Sequence, residues 1–267
     1  MRGRYLYKYL SFDQDMLVMD IIRDYKILFS APSRFNDPFD CNPRYLDAKS
    51  PVTARPDLFE CFNEKGISPA KKMVNRERAI NRMSVGLRDG SLRDAILSDV
   101  GIVSLSRTPW SVLMWSHYAD KHSGFMVEFQ EPAVFTKEQN GVDDRWLVPF
   151  KVQYVKERPS VPYWENTEHD AVEKYFTYKS DEWEYEQEER VVKVSGGAGA
   201  FPYEPELLVS VVAGCNISSK NFAILSGAIK QSNKTRTKKI KLYRAEVDSA
   251  KYRLNIPGFK RPRPNLD

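Results

Sequence analysis

The chain reads as an α+β protein: a mixed, largely antiparallel β-sheet with flanking helices, in one domain. Three observations say so. Stretches of period-two alternation are interleaved with stretches of helical period, in no regular strand–helix cadence. The phosphate-loop patterns GxGxxG and GxxxxGKS/T, which accompany parallel βαβ sheets, are both absent. At 267 residues, with 42% hydrophobic and 29% charged side chains, the chain is long and apolar enough to bury a full core.

The elements follow in order. Tyr5–Tyr9 alternates and is rich in aromatics, the pattern of a strand. Ser11 caps a helix over Asp13–Tyr25, in which Leu17, Ile21 and Tyr25 recur on one side. Lys26–Ser30 is a second strand, after which Pro32, Asn36, Asp37 and Pro38 force turns. A largely helical excursion runs over about 41–99. Its first part, 41–68, is aperiodic; then come an amphipathic helix, Pro69–Leu87, and a shorter one, Leu92–Ser98, capped by Ser91. Ile102–Ser106 is a strand, Pro109 opens a helix through Tyr118, and Phe125–Phe129 is the next strand.

Phe150–Val155 alternates as a strand, and Thr167–Tyr178 suits a helix. Glu189–Val194 is a strand that leads into a glycine-rich loop, Gly196–Gly199. Leu207–Ala213 is a buried strand, and Ser218 caps a helix to Lys230. Lys239–Val247 alternates, with Lys251–Ile256 as its hairpin partner. The domain thus spans residues 1–256. The basic, proline-rich stretch 257–267 reads as a flexible tail.

Charge is unevenly placed. The formal net charge is +5, but residues 230–267 alone hold 12 Lys/Arg against 3 Asp/Glu. A nucleic-acid contact through Lys230–Arg263, with Tyr243 interleaved, is one reading of that excess; a solvated strand pair is the other. Three scattered cysteines, with no CxxC pair, argue against a disulfide framework and a zinc site and fit a reducing cytoplasm. No apolar run approaches a membrane span of about 18 residues, and no secretory signal opens the chain.

Chemistry concentrates in a few places. In a strand, Tyr7 and Tyr9 share one face and Lys8 takes the other. Asn36-Asp37-Pro38 makes a turn whose side-chain oxygens accept backbone N–H groups, pinned to the core by Phe35 and Phe39; Ser30 precedes it, and Arg34 beside it suits a phosphate. Ser104 and Ser106 put two hydroxyls on one face of a strand, as a polar pocket does. Trp115, His117, Tyr118 and His122 form an aromatic and imidazole patch fit to grip a flat polar ligand. The spacing of His117, Asp120 and His122 matches no standard ligand set, so no metal is expected. Glu184, Glu186, Glu188 and Arg190 fall on one face if the strand starts early, and so many carboxylates call for a nearby cation. The contrary reading of each is structural: packed tyrosines, a turn, a solvated acidic face, core aromatics.

Together these blocks resemble the bacterial family catalogued as domain of unknown function 2971. The matching pieces are Leu6-Tyr7-Lys8-Tyr9, Phe29-Ser30 through Asp40, Ser104-Leu105-Ser106, Leu113 through Phe129, and Lys179-x3-Trp183-x-Tyr185-Glu186-x-Glu188-x-Arg190. The block order is also similar to that of ADP-ribosyltransferases, with Tyr and Lys where that fold's first strand has His or Arg. That second resemblance implies an enzyme that cleaves the nicotinamide glycosidic bond of NAD for transfer to a protein or nucleic-acid acceptor, such as a toxin or phage-defence effector. It implies Glu188 as the catalytic carboxylate with Glu186 and His117 assisting. The implied NAD contacts are Tyr7, Lys8, Tyr9, Ser30, Arg34, Asn36, Ser104, Ser106, Trp115, Tyr118 and Arg190.

Overall fold

A computed structural model of the protein describes residues 4–13, 16–45, 68–131, 144–161 and 175–263. The strands of its first half are β1 (Tyr5–Leu10), β2 (Lys26–Phe29), β3 (Arg44–Tyr45), β4 (Gly101–Ser106) and β5 (Phe125–Gln130). Then come β6 (Phe150–Lys151), β7 (Gln153–Val155), β8 (Ser160–Val161), β9 (Tyr178–Ser180) and β10 (Glu188–Lys193). The last are β11 (Gly199–Pro202), β12 (Leu208–Ala213), β13 (Lys241–Arg244), β14 (Glu246–Val247) and β15 (Leu254–Asn255). The helices are α1 (Asp20–Arg23), α2 (Pro69–Asp89), α3 (Ser91–Leu97), α4 (Val112–Tyr118) and α5 (Ser219–Ser232).

The fold is α+β. A seven-stranded sheet runs β13-β12-β5-β1-β4-β10-β6. The β12–β13 pair is parallel and every other pair in it is antiparallel. Period-two alternation sorts the side chains into two cores. One face carries Leu6, Leu105, Val127, Val191 and Val211, packed with Ile21 and Ile22 of α1 and Leu225 and Ile229 of α5. The other carries Tyr7, Tyr9, Met126 and Val212, packed with Met114 and Trp115 of α4 and with Phe259.

Register puts a polar row across this second face. Ser210 opposes Glu128, Glu128 opposes Tyr7, Tyr7 opposes Ser106, and Ser106 opposes Glu188. Strand β1 is in register with β5 over six residue pairs but with β4 at Tyr7↔Ser106 alone. The sheet is therefore split between β1 and β4, and the split opens the cleft described below.

Helix ends follow side-chain caps. The hydroxyls of Ser68, Ser111 and Ser218 accept from the backbone N–H groups of Lys71, Met114 and Asn221. Asp13–Tyr25 is not one helix: it holds a single turn of 3-10 helix, Leu17–Met19, and the four residues of α1. Met16 ahead of the turn is left-handed, with φ of 55°. Thr167–Tyr178 falls mainly outside the described residues, and its last residue begins β9 instead. The glycine loop after β10 returns as β11, which pairs with β2.

Close approach of backbones fixes some glycines. A Cβ on Gly124 would lie 2.1 Å from the Leu10 carbonyl oxygen. Gly124→Ala is expected to destabilise the protein by about 1–3 kcal/mol through overpacking, read as a lowered urea midpoint.

Residues 257–263 are docked rather than loose. Glu128, buried in the polar row, needs a cation, and Arg261 supplies it at 2.6 and 3.1 Å. The Arg261 guanidinium also lies 3.8 Å from the centre of the Tyr5 ring. Phe259 packs edge-on to Tyr7 and Tyr243, and Trp110 donates to the Pro262 carbonyl. Arg261→Ala leaves Glu128 with the Tyr7 and Ser210 hydroxyls alone among the described residues. A loss of about 2 kcal/mol is expected, measurable by denaturant titration.

Candidate functional site

Three turns of backbone aim side chains into the cleft. Ser111 caps α4, which presents Met114, His117 and Tyr118. A turn of 3-10 helix, Pro32–Arg34, places Arg34 and Asn36 at the rim, where both are exposed. A longer 3-10 helix, Asp181–Glu186, ends at Gln187 in the left-handed conformation, with φ of 47°. That reversal sends the chain into β10 and leaves Glu186 and Glu188 both facing the cleft. Glu184 is turned away, into the neighbouring hollow with Arg4 and Lys151, so the four-residue face of an early strand start does not form and the strand begins at Glu188.

The resulting cavity is about 360 Å³, within the size range of ligand sites. Tyr7, Lys8 and Tyr9 line it, as do Ser30, Arg34 and Asn36. So do Ser104 and Ser106, His117 and Tyr118, and Glu186 and Glu188. Segments up to about 180 residues apart in the chain thus meet at one hollow. Trp115 and Arg190 stand apart. Trp115 is fully buried, edge-on to Tyr9, with its indole N–H on the Pro109 carbonyl. It offers no face to a ligand, which corrects the expected contact. Arg190 is fully buried behind the carboxylates and holds them from the rear.

The floor is a charge network. Arg190 grips Asp40 with two bonds of 2.8 and 2.7 Å and Glu188 with two of 2.8 and 2.9 Å. It also donates to the Phe176 carbonyl. Lys179 reaches Glu186 at 2.5 Å, Glu188 at 3.1 Å and Asp40 at 3.7 Å. Tyr118 donates to the other oxygen of Glu186 at 2.5 Å, and the Tyr154 hydroxyl accepts from the Glu188 N–H. Three buried carboxylates thus face two buried cations.

Acidities split accordingly. Burial favours the neutral form of Glu188, but Arg190 and Lys179 outweigh it and bring its pKa down to about 2. Burial wins at Glu186, whose pKa is raised although Lys179 opposes it. Burial also raises the Tyr118 phenol, with the Glu186 charge adding to it. Adjacent carboxyls with acidities pushed apart suit acid–base work.

The hydroxyls differ in availability. The Ser106 hydroxyl is used within the fold, donating to the Glu186 carbonyl and accepting from the Thr108 N–H. The Ser104 hydroxyl is half-exposed and bonds Glu188. The Tyr9 hydroxyl donates to the Thr108 carbonyl and that of Tyr7 to Glu128, so these two tyrosines offer the cavity rings. Asp37 accepts from the Phe39 N–H, which makes it a turn residue. Phe39 is 59% exposed beneath Arg158 instead of pinned to the core.

Sequence reasoning left Asp40 and Lys179 out of the site. Both sat inside motifs already picked out, yet their pairing spans more than 130 residues of chain. Within the basic stretch, Arg236 is buried on the carbonyls of Pro205 and Leu208, and Lys239 bonds two carbonyls at the end of α5. Among the described residues, no group of three His, Cys, Asp or Glu is placed to hold a metal ion. Also among them, no helix is long and apolar enough to cross a membrane.

No curated protein and no solved structure matches the chain. One family model does, over residues 114–191, a stretch that contains α4, Lys179 and both cleft glutamates. That family is described as "Protein of unknown function (DUF2971)", and across that stretch the chain is similar to it.

Proposed function

We propose that the cleft binds NAD and breaks the bond between nicotinamide and ribose, in the manner of an ADP-ribosyltransferase. One observation carries the reading: an ionised glutamate, tyrosine rings and unpaired cations converge on a single cavity from five separate segments. Arg34 and Lys8 make no ion pair among the described residues. They suit the pyrophosphate, and the rings suit nicotinamide. The split between β1 and β4, with the acidic strand β10 beside β4, agrees with that chemistry.

In this reading the C1′–N1 bond breaks and its electron pair leaves on nicotinamide. The Glu188 carboxylate stabilises the positive charge left on the ribose. An oxygen of water or of a protein or nucleic-acid acceptor then bonds to C1′. Its proton passes to Glu186, whose affinity for protons burial has raised. Loss of cellular NAD, or modification of the acceptor, would serve a toxin or a phage-defence effector. The test is release of nicotinamide from labelled NAD, with and without bacterial lysate, by the wild-type protein and Glu188→Gln. Absence of release and of NAD binding in the wild type overturns the proposal.

A further inference from the structure

Three cations line the cleft, and they are held in different ways. Lys179 lies within 4.0 Å of three carboxylates. Arg34 stands exposed at the rim. Lys8 does neither. Its stem starts where β1 and β4 part, and among the described residues its Nζ makes one hydrogen bond, 3.1 Å to the Ser104 carbonyl oxygen. No carboxylate lies within salt-bridge reach of it among the described residues.

A lysine with a structural role is normally paired, and one that only attracts anions is normally exposed. An amine held inside a cavity away from carboxylates gives up its proton more readily than an exposed one, and its neutral form has a reactive lone pair. We propose that Lys8 is a nucleophilic amine that captures the aldehyde carbon of an aldose phosphate as an imine. The nitrogen lone pair bonds to the carbonyl carbon. The two protons of the amine pass to the former carbonyl oxygen, whose bond to carbon breaks as it leaves as water, and a C=N bond remains. Nothing is oxidised or reduced. The Arg34 guanidinium takes the phosphate, and Asn36 and the Ser104 hydroxyl meet the sugar hydroxyls.

Charged and titratable groups surround this amine. Glu188 comes from β10, Glu186 and Lys179 from the floor, Arg34 from the rim, and His117 and Tyr118 from α4. Burial lowers the Lys8 pKa to about 8, with Glu188 pulling the other way. The neutral amine therefore accumulates as pH rises through about 8, well before exposed lysines lose their protons at about 10.4.

The experiment needs no NAD, so it can fail or succeed apart from the preceding section. The full-length protein is incubated with ribose 5-phosphate and sodium cyanoborohydride between pH 7 and 10, and the reduced adduct is mapped by peptide mass spectrometry. The expected result is labelling of Lys8 at least about tenfold faster than that of exposed Lys234 and Lys241 at pH 8, with a rate that levels off above that pH. Arg34→Gln is expected to slow labelling by ribose 5-phosphate but not by ribose. Lys8 labelled no faster than Lys234 and Lys241 overturns the proposal. That comparison is made within one wild-type molecule and does not depend on any variant folding.

Discussion

Replacing Arg190 with methionine is expected to cost about 3–5 kcal/mol of stability, the largest single effect foreseen for this protein. The side chain is fully buried and makes four bonds to two carboxylates. Its removal strands Asp40 and Glu188 with Lys179 as the one remaining cation of the network. Methionine fills the volume, so the loss reports charge and not a cavity. Lysine is no substitute, because a planar fork is what reaches both carboxylates at once. Chemical denaturation measures the effect, and a loss under 1 kcal/mol would show that the network is not a unit.

The pH dependence gives a second readout. In the wild type, Glu188 titrates at about 2 in the fold against an ordinary value of 4.5. Its contribution to stability is therefore fully present above 4.5 and is lost as pH falls through about 2. In Arg190→Met the same carboxyl, buried and short of a partner, moves upward. The variant is then expected to gain stability on acidification towards 4.5, a range over which the wild-type Glu188 contribution stays constant.

How much of this was legible in the sequence depends on the range of the interaction. Strands β4, β5 and β12 were readable because a short apolar run between turn signals is a local mark of a strand packed on both faces. Helix α5 was readable because Ser218 stands where a cap must. The convergence of Tyr7, Ser104 and Glu188 followed from separately recognisable blocks. Between Trp183 and Glu188 the sequence leaves an early strand entry and a helical turn both open, because no rule of composition places Gln187 in the left-handed region that ends the 3-10 helix. Arg261 defeated the reading of the tail. Prolines and basic residues look disordered until a buried Glu128, 133 residues away, is seen to need that guanidinium. Trp115 misled in the opposite direction: a tryptophan among histidines suggests a stacking surface, whereas packing on Tyr9 put it in the core.

The charge count around Glu188 makes its substitution the sharpest test of function. With Glu188→Gln the floor falls from three carboxylates to two, Asp40 and Glu186, against the same two cations. The amide oxygen still accepts from Arg190 or Lys179. The carboxylate charge that Arg190 and Lys179 stabilise is lost, however, so the fold is expected to lose about 3 kcal/mol. Nicotinamide release is expected to fall about 100- to 1,000-fold, the usual cost of removing one preorganised group that meets transition-state charge. A variant that unfolds would say only that Glu188 is structural, so the denaturation midpoint must be measured on the same sample. Turnover equal to wild type, in a folded variant, removes Glu188 as the group that meets the ribosyl cation. Glu186→Gln separates the two carboxyls: the glycosidic bond still breaks, but the proton of the incoming oxygen has lost its acceptor, so the rate falls most where that nucleophile is least acidic.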